Sequence, residues 1–190
     1  VDQKYLDHRH LSGSYPAGYY LHNLHFLWAS LLMEGRSWEA LRVARDLAAK
    51  VRLEDAVKEP WLERFTTASV LGLVRFGRWE EVLREPEPPA GLPFTRAVWH
   101  YARGMAFAAQ GRFDQAETER NRLLAAAESL PDGLHVSLNE AAKVLRIADK
   151  VLAGEAAARR GDYDKGIGLL KEAVRLEDGL ALFKARVAIA

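Results

Sequence analysis

The sequence predicts an all-α protein, an α-solenoid of about four irregular helix-turn-helix units, and three observations carry that prediction. Alanine, leucine and arginine dominate while alternating β-branched runs are scarce, so the apolar pattern is helical. A turn followed by a helix start recurs four times: GRSWEAL from Gly35, GRWEEVL from Gly77, GRFDQAE from Gly111 and GDYDKGI from Gly161. At one fixed offset from each glycine stands a compact residue (Ala40, Val82, Ala116, Gly166), where a larger side chain would push paired helices apart.

Taken in order, helices are expected near 17–34, 38–53, 60–75, 78–84, 94–110, 113–129, 138–159 and 162–177, with a further one near 180–189. The turn glycines end the first helix of each pair through a left-handed residue. Trp79, Phe113 and Tyr163 then fold back over the turn, whereas the first copy has Ser37 in that slot and Trp38 one place late. Pro60 suits a first helical turn, where its missing N–H costs nothing. Residues 85–93 (EPEPPAGLP) read as an extended connector. Ser137 and Glu140 are spaced as a capping box opening the helix at 138.

These units resemble tetratricopeptide (TPR) repeats. Trp99, Gly104, Phe107, Gly111, Phe113 and Ala116 match the family signature in the third copy, and Gly154, Ala157, Gly161, Tyr163, Ala173 and Val174 resemble it in the fourth. Copy one has Trp28, and copy two Val70, where the family has a small residue; Pro86, Pro88 and Pro89 cut off the second helix of copy two. Successive turn glycines lie 42, 34 and 50 residues apart, against ~34 in the family, so the superhelix should be irregular. The resemblance covers most of residues 17–178, and the YxxHNLHF stretch from Tyr19 is similar to a segment of bacterial TPR proteins. It implies one right-handed solenoid domain over 1–190, with repeats near 17–55, 60–92, 93–130 and 137–178. Residues 1–10 and 179–190 read as truncated helices of neighbouring repeats in a longer parent chain. Leu182, Phe183, Val187 and Ile189 would then be apolar end surface that favours self-association.

Composition narrows the partners. Lys plus Arg total 27 against 26 for Asp plus Glu, a net charge of +1 with both signs interleaved, which offers no basic face for nucleic acid or an anionic membrane. Cysteine is absent, excluding disulfides and thiolate metal sites. Neither a signal-peptide pattern nor an apolar run of spanning length is present in this chain, so a cytoplasmic location is expected.

The resemblance implies that the first helices of the pairs line a concave groove that takes a peptide or protein partner, with no cofactor and no catalysis. The groove residues would be His22, His25, Ala29, Leu32 and Met33, then Arg64, Thr67, Leu71 and Arg75, then Tyr101 and Met105, then Glu155 and Arg159. Aromatic and arginine anchors of this kind carry most interface energy. Where the family's carboxylate-gripping residues would stand, this chain has His25, Ala29, Ala68, Val98 and Ala102, which argues against chaperone-tail binding.

The alternative reading is a metal site or metal-dependent activity centred on residues 8–25. His8, His10, His22 and His25 cluster there, and His22 and His25 are one helical turn apart. Asp7 is the only carboxylate beside them, and no HExxH pattern completes a site. GDYDKGIG has Ile167 and Gly168 where a phosphate loop needs Lys and Ser or Thr. Glu80, Glu81, Asp162 and Asp164 favour helix N-termini and read as solvated caps. The five tryptophans read as packing residues, with Trp61 the one expected to be partly exposed.

Overall fold

The computed structural model describes residues 14–181, and side chains from residue 18. Helices account for 76% of the described residues, so the fold is all-α apart from one small hairpin. Helix α1 (Ser14–Met33) pairs with α2 (Ser37–Ala49). A short α3 (Leu53–Lys58) and a 3₁₀ turn (Pro60–Leu62) lead into α4 (Glu63–Thr66) and α5 (Ala68–Arg75), and α6 (Trp79–Arg84) follows. Then come α7 (Pro93–Ala109) and α8 (Phe113–Glu128). Strands β1 (His135–Val136) and β2 (Asn139–Glu140) form an antiparallel hairpin ahead of α9 (Ala141–Arg159) and α10 (Tyr163–Asp178).

The four turns close by the same pair of hydrogen bonds. The amide of Arg36 donates to Leu31 O and that of Gly35 to Leu32 O; the pattern repeats at Arg78 and Gly77, at Arg112 and Gly111, and at Asp162 and Gly161. Gly35, Gly77, Gly111 and Gly161 have φ of 72°, 65°, 73° and 89°, the left-handed values this closure requires. One turn later the amides of Ala40, Val82, Ala116 and Gly166 bond back to the residue just before each second helix, and all four are buried. Trp79 folds over Gly77, where an added Cβ would meet its ring at 3.7 Å, and Arg160 stacks on Phe113 at 4.8 Å, but Tyr163 is 67% exposed.

Packing runs between neighbours: α1 on α2, α2 on α4 and α5, α6 on α7, α7 on α8, and α9 on both α8 and α10. First helices also touch one another, α4 and α5 against α7 and α7 against α9. Small residues set the closest approaches. A side chain at Gly104 would sit 2.5 Å from Leu152, and one at Gly166 would meet Gly154 O at 3.0 Å. Two large apolar clusters result, one centred on Trp28, Leu47 and Phe65 and the other on Leu73, Leu123, Leu145 and Leu152, with Leu71 packed against both, and Phe107, Ala108 and Ala116 form a small third.

Three local expectations are corrected. The single helix expected over 60–75 is broken at Thr67, because Thr66 Oγ1 donates to Glu63 O (2.8 Å) and Thr67 Oγ1 to Arg64 O (2.9 Å), competing with the helical ladder. The helix expected over 38–53 stops at Ala49, and α3 starts separately at Leu53. Ser137 opens no capping box. It takes φ 59° in the two-residue hairpin loop, a position that favours glycine, and α9 begins only at Ala141 with no side-chain cap. The Asn139 side chain holds this connector by bonding Ala181 N (2.8 Å) and O (3.3 Å). Among the tryptophans, Trp38 is the exposed one at 69%, while Trp61 is half-buried. Residues 1–10, the helix expected at 180–189 beyond Ala181, and the end surface of Leu182, Phe183, Val187 and Ile189 lie outside the described residues.

Two glycines of α10 yield a paired test. Gly168 has nothing within 4 Å of an added Cβ, so Gly168→Ala should raise unfolding stability by about 1 kcal/mol through helix propensity. Gly166→Val should lower it by roughly 1–3 kcal/mol, because the helices cannot separate without losing contact. Urea denaturation of both variants reads the difference.

Candidate functional site

The first helices and the hairpin enclose a cavity of about 420 Å³. Its wall takes His22, His25, Ala29 and Met33 from α1, Arg64 from α4, Thr67 from the break, and Leu71 from α5. Phe94, Val98 and Tyr101 come from α7, Val144, Leu145 and Ala148 from α9, and Val136 and Ser137 from the hairpin. The α-helical spacing of three and four residues puts each set on one stripe. The hairpin closes one side because β1 packs against the 3₁₀ turn at Pro60–Leu62.

Of the residues singled out in the sequence, His22, His25, Arg64, Thr67 and Tyr101 therefore meet around one cavity. Met105, Glu155 and Arg159 do not line it. Met105 is buried in the second apolar cluster, and Glu155 pairs with Arg159 at 3.5 Å on α9. Phe94, Val144 and Leu145, which the sequence left unremarked, also line the wall, as does Ser137, which was expected to cap a helix.

His25 packs between Trp28 (5.1 Å) and Phe65 (5.7 Å), and His22 meets Phe26 edge-on at 4.7 Å. Among the described residues no group of three or more His, Cys, Asp or Glu is arranged to hold a metal ion; His8 and His10 lie outside them. No helix of the described residues is long and apolar enough to cross a membrane.

The charged groups near this wall have different fates. Glu63, 1% exposed, accepts hydrogen bonds from Thr95 N (2.9 Å) and Thr95 Oγ1 (3.0 Å), so it caps the start of α7 from another helix. Burial pushes its carboxyl above the usual range, against the pull of those donors. Its acceptor capacity is spent on the helix end, which assigns it to positioning α7. Glu119 is the second buried carboxylate. Burial works to raise it, yet the bonds to His100 Nδ1 (2.7 Å) and Arg103 Nε (3.1 Å) hold it below the usual range. This pair ties α7 to α8 away from the cavity wall, and the sequence reading missed it because the partners are joined only by packing.

Arg64 differs from the other arginines. Four arginines of the described residues are partly buried, and three have carboxylate partners: Arg96 with Glu87, Arg103 with Glu119, and Arg120 with Asp149. Arg64 has no ion pair among the described residues. It lies over Phe65 (4.5 Å) and Trp61 (5.4 Å), its buried Nε has no hydrogen-bond partner, and burial lowers its pKa. The guanidinium stays charged all the same.

Comparison with family models, with curated proteins and with solved structures returns no match.

The role of Glu63 can be read from pH. A carboxyl raised by folding contributes most below the ordinary glutamate range, and the contribution is lost as pH rises through the elevated folded value. The stability of the native chain minus that of Glu63→Gln should therefore become more favourable to the native chain on moving from about pH 8 to about pH 4. Denaturant midpoints at the two pH values check it, and a difference moving the other way would reject the assignment.

Proposed function

We propose that this chain is an α-solenoid of four TPR-like helix pairs that acts as an interaction scaffold, holding a peptide or partner protein on the face lined by the first helices. The observation that carries this reading is the apolar cavity on that face, to which α1, α4, α5, α7 and α9 all contribute. Its volume lies within the ~300–1,000 Å³ of ordinary ligand pockets, enough for the anchor side chains of a bound segment. The repeated turn closure and the neighbour-to-neighbour packing support the repeat architecture. Recognition would rest on shape and side-chain anchors, with no covalent step. The hydrogen bonds that occupy Glu63 and Glu119 support that part of the reading.

Selection from a random peptide display library tests it. Peptides with large apolar anchors should be enriched. Ala29→Phe, which fills the cavity from a half-buried position, should weaken them by about tenfold or more. Lys171→Asp on the exposed side of α10 should change nothing. Failure to enrich peptides, or indifference to Ala29→Phe, would overturn the proposal.

A further inference from the structure

We propose that the cavity is also a small-molecule site, built for a medium-chain or similarly sized apolar monocarboxylic acid whose carboxylate pairs with Arg64. This goes beyond the scaffold reading and does not depend on it.

The Arg64 guanidinium is partly buried. A cation withdrawn from water is destabilising unless an anion or hydrogen-bond acceptors replace the lost hydration. Arg96, Arg103 and Arg120 each have a carboxylate, whereas Arg64 has two aromatic rings and no ion pair among the described residues; its buried Nε without an acceptor is a feature it shares with Arg96. Stacking on Trp61 and Phe65 restricts its side chain, and ordering a guanidinium in advance favours paired binding of a planar carboxylate. Glu34, the one carboxylate on the cavity wall, is engaged by Arg36 at 3.1 Å, and the neighbouring Glu63 is turned to Thr95. Charge complementarity at this position is therefore left to an occupant.

The rest of the wall specifies the body. Leu71, Phe94, Val98, Val144 and Leu145 make it apolar. The cavity of about 420 Å³ lies within the ~300–1,000 Å³ of ordinary small-molecule pockets, which accommodates an acid of about a dozen non-hydrogen atoms. Orientation follows from the two ends. The Glu63 contact with Thr95 sets Arg64 beside the first turn of α7, while Tyr101 stands roughly 9 Å further along that helix. Tyr101 is buried, and burial, with a smaller contribution from Glu155, opposes its ionisation, so negative charge is disfavoured there. The carboxylate belongs at Arg64 and the apolar end towards Tyr101.

Isothermal titration with decanoate, decanol and decyltrimethylammonium tests the assignment. Decanoate should bind at one site per chain, with decanol weaker by about tenfold or more and the ammonium weaker still. Arg64→Gln should bring decanoate down to the level of decanol while leaving decanol unchanged. Arg64→Lys should retain part of the preference. An unaltered melting transition in each variant shows that the fold is intact. Equal affinity for decanoate and decanol in the native chain, no binding of either, or an Arg64→Gln variant that still prefers decanoate would overturn the proposal. None of these results bears on whether display peptides are enriched, so the two readings fail separately.

Discussion

Each helix pair depends on one closure, a left-handed glycine whose amide and that of the following residue reach back to the last turn of the first helix. The closure satisfies carbonyls that a helix end would otherwise leave without partners, and it sends the chain back antiparallel within two residues. Because the geometry is the same at Gly35, Gly77, Gly111 and Gly161, the second helices start in the same relation to the first. The compact residue one turn later then decides how near the two axes come. At Gly166 the approach reaches backbone against backbone.

The cavity follows from what interrupts this regularity. Two threonine side chains break the helix of the second unit, and its partner α6 is only six residues long. The connector before α9 folds into a hairpin and reaches the 3₁₀ turn instead of continuing as helix. Space between α1, α7 and α9 is thus roofed by Val136 and Ser137 and left unfilled by side chains. Glu63, the first residue of α4, holds the start of α7 in place, so the cation at Arg64 and the apolar wall of α7 keep a fixed relation.

Much of this was legible in the sequence where the cause is local. The turn glycines and the buried Ala40, Val82 and Ala116 follow from spacing along the chain, whereas placing His22, His25, Arg64, Thr67 and Tyr101 on one face drew on the resemblance to TPR repeats. What was not legible depends on partners distant in the chain. Asn139 pinned to Ala181, Glu63 to Thr95 and His100 to Glu119 leave no trace in a hydrophobic pattern. The Ser137–Glu140 spacing misled because a capping box and a hairpin turn draw on the same residue types. The isolation of Arg64 could be recognised only after the partners of the other arginines were known.

The central claim is that binding takes place at the face lined by the first helices, and the tryptophans report on it directly. Trp28 lines the cavity and Trp61 stacks on Arg64, whereas Trp38 is exposed on α2 and Trp79 folds over a turn. Fluorine NMR of protein carrying 5-fluorotryptophan, titrated with a peptide enriched by display, resolves them in one experiment. The account predicts that the Trp28 and Trp61 resonances shift together and saturate while those of Trp38 and Trp79 stay in place. Unchanged Trp28 and Trp61 signals, or shifts confined to Trp38 and Trp79, would contradict it.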